Sequence, residues 1–305
     1  DEGFNVRYWY IGNEPNLFDN YTTEQHNREW RAIAEAMLAV DPNIILIGPD
    51  TSQYTGNPAV DPKDSEGRDF LREFLLANGD LVDIVAVHRY PFPRSQANPV
   101  TTIDDLRQNA AEWTQIARNL RALIKETTGR DDLPIAMTEA NSHWALTMGG
   151  EATTDSLYNA IWWADVLGRL IVEQMTIVSY FELQTPTERG TWGLMGSYDI
   201  FPTYYTYQLY QQFGSELVYS TYSSDDLTVY AARREDGTLT LIVVNLGPDE
   251  QSPTLKIDNF AISGPAQVWR LDVDHNAAAI EDADLSGGQI TVPGQSVTLY
   301  VVPGQ

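Results

Sequence analysis

Up to about residue 214, apolar runs alternate with longer segments whose apolar positions recur every three or four residues, the pattern of βα units around a parallel sheet. Runs at 6–12, 44–48, 82–88, 134–138 and 175–182 predict strands. The segments between them predict helices. One spans 23–40, opened by a capping pair of Thr22 and Gln25 and closed before Asp41-Pro42. Others cover 68–77, ending at Asn78-Gly79, and 103–128, with Gly129 placed to end it. A last one follows Asp155 and runs to 173. Beyond 214 the period drops to two. Short alternating segments at 216–222, 227–234, 239–245, 254–257, 266–271, 289–292 and 297–302 are separated by Gly, Asp, Asn and Pro turns, which predicts a β-sandwich. The expected organisation is an α/β domain over 1–214 and a sandwich over 215–305.

Composition narrows the partners. The net charge of −24 repels a phosphate backbone over most of the surface and argues against nucleic acid as a partner. It suits solubility in salt or an extracellular setting, favours the latter without fixing it, and tilts against anionic polysaccharides. No apolar run reaches the roughly 18–20 residues of a membrane span, so no membrane partner is expected. Zero Cys excludes disulfides and thiolate catalysis. His26, His88, His143 and His275 are scattered without zinc-ligand spacing, so the expectation is no metal and no organic cofactor.

Two of the predicted strands end in glutamate. The run Tyr8-Trp9-Tyr10-Ile11-Gly12 stops at Asn13-Glu14-Pro15-Asn16, and Pro134-Ile135-Ala136-Met137-Thr138 stops at Glu139. Carboxylates at the C-terminal ends of parallel strands are what a retaining glycosidase needs, one as acid/base and one as nucleophile. Glu14 suits the acid/base role if burial beside a second carboxylate raises its pKa. Asn13 is placed to bond a sugar 2-hydroxyl and the nucleophile, and Pro15 stiffens the turn. Two further strand–helix units, ending at Gly48 and His88, lie between the glutamates. With 6–12 as the fourth strand of an eight-stranded barrel, Glu139 ends the seventh.

These motifs resemble the large clan of retaining (β/α)8-barrel glycoside hydrolases, with Asn-Glu after strand four and Glu after strand seven. "WYIGNEPN" and "PIAMTEAN" look most like the branches of β-xylosidases and α-L-iduronidases, heparanase-like β-glucuronidases and α-L-arabinofuranosidases. The resemblance implies the C-terminal part of a TIM barrel, strands four to eight, followed by a β-sandwich. It also implies a carbohydrate substrate cleaved by double displacement, with Glu139 as nucleophile and Glu14 as acid/base. By the family pattern, His88 or Tyr90 bonds the nucleophile or lines the sugar subsite. His143, Trp144 and Trp192 are candidate subsite walls, and Glu182 binds a hydroxyl or sits in an ion pair.

The clan supplies strands one to three before the Asn-Glu motif, and this sequence holds only a few residues there. The open sheet that results needs its edges covered by a missing N-terminal half-barrel segment, another polypeptide or self-association. Two alternatives stand beside hydrolysis: a non-catalytic carbohydrate-binding or assembly protein, and a transglycosidase.

Overall fold

The computed structural model describes residues 3–97, 100–185, 192–222 and 224–305. Among them the chain runs β1 (Tyr8–Tyr10), α1 (Thr23–Val40), β2 (Ile45–Thr51), α2 (Phe70–Asn78), β3 (Ile84–Arg89), α3 (Ile103–Asn109), α4 (Glu112–Thr128), β4 (Ile135–Ala140), α5 (Leu157–Val172) and β5 (Ile177–Tyr180). It continues through α6 (Pro202–Tyr210), β6 (Glu216–Val218), β7 (Leu227–Arg233), β8 (Leu239–Asn245), β9 (Ala266–Leu271), β10 (Ala278–Ala283) and β11 (Ser296–Val302). Strands β1 to β5 form one parallel sheet in sequential order, half of a barrel, and β6 to β11 form an antiparallel sheet in the order β10-β9-β11-β8-β7-β6. A partial barrel followed by a sandwich is thus the architecture. The predicted helix over 103–128 is two helices, broken at Ala110 and Ala111.

By compactness the chain divides into two discontinuous units: residues 3–91, 112–141 and 173–181, and the rest. The first holds the parallel sheet. Helix α1 starts where the Thr22 side chain accepts from the N–H of Gln25 at 3.2 Å, as the sequence predicts. Trp30 of α1 meets Phe74 of α2 edge-on, and the indole lies close over Gly48, where a Cβ would come 3.0 Å from its nitrogen and the ring would have to give by a few tenths of an ångström. Ile47, Ile84, Ala86 and Ala136 pack together from β2, β3 and β4. Strand β1 departs from expectation. The run at 6–12 predicts a buried strand, yet only Tyr8–Tyr10 pair, with β2 alone, and Tyr8, Trp9 and Tyr10 are exposed. An edge strand with one neighbour has one side of its aromatics in solvent.

In the second unit, β8 and β11 are buried along their whole length because the sheet is covered on both faces. Leu255, Ile257, Phe260, Leu285, Ile290 and Val292 pack on one face. The segments carrying them pair only through single bridges such as Gln251 with Val292 and Thr254 with Gln289. Helix α5 covers the other face, where the Tyr158 hydroxyl donates to the carbonyl of Leu246 at 2.8 Å.

Each unit buries a neutral histidine. His26 lies tilted against Phe70, ring centroids 5.1 Å apart, with its Nε2 unpartnered, and burial pushes its pKa down to about 4. His143 is pushed down to about 4 for the same reason. The unfolded chain binds these protons near pH 6.5 and the folded chain does not, so stability falls as pH drops from 6.5 towards 4, by about 3 kcal/mol per histidine. Urea midpoints measured across that window should fall steadily on acidification, and His26→Leu should flatten the slope for the first unit. A pH-independent midpoint would remove this account.

Candidate active site

Residues from four consecutive strands of the half-barrel converge at its C-terminal end. β1 runs into the Gly12–Pro15 turn, where Glu14 takes a left-handed backbone (φ 44°) and its N–H donates to the carbonyl of Asp50 at 3.1 Å. Asn16 pins the same turn by accepting from the N–H of Ser52 at 2.8 Å. β3 delivers His88, which is 1% exposed, and Tyr90 just beyond it. β4 delivers Glu139, paired in register with His88. The parallel strands all point their C-terminal ends the same way, so side chains far apart in sequence meet there.

The imidazole is the hub. His88 Nδ1 lies 3.0 Å from Glu14 Oε1 and 3.7 Å from Glu139 Oε2, while Nε2 faces Asp50 Oδ1 at 3.6 Å. With a carboxylate beside each nitrogen the ring holds its second proton. Burial alone would lower its pKa, but the hydrogen bonds and charges of Asp50, Glu14 and Glu139 outweigh burial and push it up to about 9. The Tyr90 hydroxyl donates to Glu139 Oε2 at 2.6 Å, and the Tyr90 ring meets Phe181 edge-on. One oxygen of Glu14 and one of Glu139 lie within 4.8 Å of each other. Both carboxylates keep partial access to solvent, at 21% and 23% exposed.

The expectation for the Glu14 pKa needs correcting. Burial does raise it, but hydrogen bonds from His88 and Ser52 and the imidazolium charge bring it below the ordinary glutamate value. In the ligand-free site Glu14 is therefore a carboxylate at neutral pH.

The donor set of Glu14, His88 and Glu139 is close enough to invite a metal on distance alone. As it stands, His88 directs Nδ1 to the two glutamates and Nε2 to Asp50. The arrangement is a hydrogen-bonded ion cluster.

The sequence-named residues divide. Glu14, His88, Tyr90 and Glu139 come together, and Asn13 lies exposed beside Glu14. His143, Trp144, Glu182 and Trp192 belong to the second compact unit. There His143 is 1% exposed, its ring nitrogens engaged with Ser142 Oγ at 2.8 Å and Thr101 Oγ1 at 3.0 Å. The Trp192 indole donates to the carbonyl of His143 at 2.9 Å, and the Trp144 indole to the carbonyl of Pro93 at 2.7 Å. The Glu182 carboxylate accepts from Thr185 Oγ1 at 3.2 Å. Three site residues escaped the sequence reading: Asp50, Ser52 and Thr138. Strand β2 was expected to end at Gly48, whereas it continues through Pro49 to Thr51. Reading it three residues further would have set Asp50 at the C-terminal end of a barrel strand.

Solved structures share this fold. A bifunctional glucanase-xylanase from a metagenome library superimposes with a TM-score of 0.75 at 22% identity, covering 98% of this chain and 65% of its own. A family 44 xyloglucanase from Paenibacillus polymyxa gives 0.72 at 17%, with coverages of 97% and 66%. A GH51 arabinofuranosidase from Xanthomonas axonopodis pv. citri gives 0.72 at 13%, with coverages of 98% and 66%. The fold is that of barrel glycoside hydrolases. The chain spans just under two thirds of the length of these structures. Residues 224–299, within the antiparallel sheet, match the C-terminal immunoglobulin-like domain of D-apionate lactonase. No curated protein matches the chain by sequence. Among the described residues, no helix is long and apolar enough to cross a membrane.

Proposed function

We propose that the chain carries the catalytic centre of a retaining glycoside hydrolase, with residues 1–214 as its barrel portion and 215–305 as its sandwich. The observation that supports this reading is the approach of Glu14 and Glu139 to within 4.8 Å at the ends of parallel strands. Retaining enzymes hold their carboxyls about 5–5.5 Å apart, and inverting ones leave roughly 6.5–9.5 Å for a water. Glu139 attacks the anomeric carbon, the bond to the leaving oxygen breaks, and the Glu14 proton passes to that oxygen. The ester so formed removes one carboxylate charge beside Glu14, which favours its ionised form for the second step. Water then gives a proton to Glu14 and its oxygen to the anomeric carbon, freeing Glu139. The substrate is a carbohydrate. Strand β1, with exposed aromatics and a free edge, is the place where further strands would add.

One pair of observations favours a second reading, hydrolysis of a sugar-acid lactone. Residues 224–299 match a domain of a lactonase, and Glu14 is held ionised, as a general base for water attacking a carbonyl would be.

The two readings differ in the sign of their pH dependence. A glycosidase needs Glu14 protonated, so kcat/KM should decline as pH rises through a Glu14 pKa held below the ordinary glutamate value by His88 and Ser52, giving an acid optimum. A lactonase needs it ionised, so activity should climb across that pKa and persist until His88 loses its proton near 9. Profiles from pH 3 to 10 on a panel of nitrophenyl glycosides and aldonolactones would separate them. Nitrophenol release with an acid optimum supports the first. Lactone opening alone, steady through neutrality, replaces it with the second. Activity on neither class would end both for this chain.

A further inference from the structure

Asp50 touches every motif segment of the site, and it does so from an irregular backbone position. The parallel register of β2 on β3 slips between Pro49 and Thr51, leaving Asp50 as an extra residue at φ 55°. The register of β3 on β4 slips in the same way, because Val87 faces Met137 while His88 faces Glu139, and Thr138 is the extra residue. These two bulged residues, one on each neighbour of β3, bond to each other: Thr138 Oγ1 donates to Asp50 Oδ1 at 2.5 Å. The same Asp50 oxygen lies 3.6 Å from His88 Nε2, and the Asp50 carbonyl accepts the N–H of Glu14 at 3.1 Å. The residue is 2% exposed. Glycine would meet the left-handed backbone more readily and asparagine as readily, and neither would bury a charge. Backbone geometry therefore does not explain an aspartate here; its contacts do.

We propose that Asp50 is a positioning residue for the Glu14–Glu139 pair: it locks the two bulges together and holds the His88 ring with Nδ1 towards Glu14. This rests on the catalytic reading of that pair. Glu139 follows Thr138 directly, so the Asp50–Thr138 bond sets where the carboxylate leaves β4. The carbonyl bond sets where the Glu14 turn leaves β1. The charged groups facing His88 are Glu14 from the turn after β1, Asp50 from β2 and Glu139 from β4, with the Tyr90 hydroxyl on Glu139 and Tyr10 close enough to feel the Asp50 charge. Among the described residues Asp50 is the charged group on the Nε2 side, so removing its charge should let the ring lose a proton and loosen its orientation.

The test uses the whole chain labelled with ¹⁵N-histidine, the His88 resonances being assigned with His88→Gln. The parent should keep an imidazolium to about pH 9, and Asp50→Asn should bring the midpoint down by about 1–3 units, as loss of a nearby opposite charge does. Thr138→Val should leave the midpoint in place. On whichever aryl glycoside or lactone the parent turns over, both variants should lower kcat by about 10²-fold with KM little changed, and Thr138→Ser should restore it. An unmoved His88 midpoint in Asp50→Asn, or an unchanged kcat, overturns the proposal. A parent without activity ends the catalytic reading, while the His88 midpoint still decides whether Asp50 holds the ring. Where Asp50→Asn does not fold, Asp50→Gly, suited to the left-handed backbone, takes its place in the same titration.

Discussion

Glu139→Gln should abolish turnover, with kcat down by about 10⁴-fold or more, because the variant has no anionic oxygen to form the glycosyl ester. Glu14→Gln should cost about 10²–10⁴-fold, the range of a lost general acid/base, and its cost should depend on the leaving group. A dinitrophenolate leaves without a proton. On such a glycoside the first step survives in Glu14→Gln, the second lacks its base, and a burst of aglycone followed by a slow steady state is expected. On a poor leaving group the first step itself fails and no burst appears. The contrast assigns roles, since Glu139→Gln shows no burst on either. It also tests the hub, because His88 donates to Glu14 at 3.0 Å and faces Glu139 at 3.7 Å. A burst in Glu139→Gln and none in Glu14→Gln would exchange the two roles. Full activity in both variants would dissolve the catalytic reading.

Much of this site can be read from the chain because its signals are local. Helix α1 falls on its predicted residues, 23–40, since a Thr22 cap and the Asp41-Pro42 stop are written in adjacent positions. The glutamates are legible for a similar reason: each follows directly on a strand-like run. What escapes depends on register. Asp50 and Thr138 matter because both are bulged towards one another, and a slip between parallel strands leaves no mark in the residues around it. The charge on His88 is likewise invisible, since its three carboxylate neighbours lie 74, 38 and 51 positions away in sequence. The exposure of β1 inverts a local signal. Tyr8-Trp9-Tyr10 has the composition of a buried strand, and only the sheet order places it at an edge. The break in the 103–128 helix also lacks a local breaker, as Ala110 and Ala111 are good helix formers.

Asp165→Ala should destabilise the second unit by about 3–5 kcal/mol, the cost of leaving one member of a buried ion pair without its partner. Asp165 is 0% exposed on α5, and its Oδ2 accepts from Arg169 Nε at 2.7 Å one turn along. Its Oδ1 accepts from Thr228 Oγ1 and from the Tyr230 hydroxyl, each at 2.5 Å, so one carboxylate ties the helix to β7. The Tyr230 ring reaches it by lying against Gly168, where a Cβ would come within 2.3 Å of the ring. Removing the carboxylate thus leaves the Arg169 guanidinium with only the exposed Asp225 at 3.5 Å and takes the acceptor from the Thr228 hydroxyl, while the Tyr230 hydroxyl keeps the Asp165 carbonyl at 3.1 Å. Replacing the pair together, as Asp165→Leu with Arg169→Met, removes both charges but still leaves the Thr228 hydroxyl without this acceptor, at about 1–3 kcal/mol, while Tyr230 keeps the backbone carbonyl of residue 165. The double variant should therefore lie between Asp165→Ala and the parent. Hydrogen exchange of the β7 and β8 amides under mild denaturant would read this locally, with the largest loss of protection in Asp165→Ala. Equal protection in the parent and Asp165→Ala would mean that the apolar contacts of α5, buried from Tyr158 to Leu170, hold the sheet without the carboxylate.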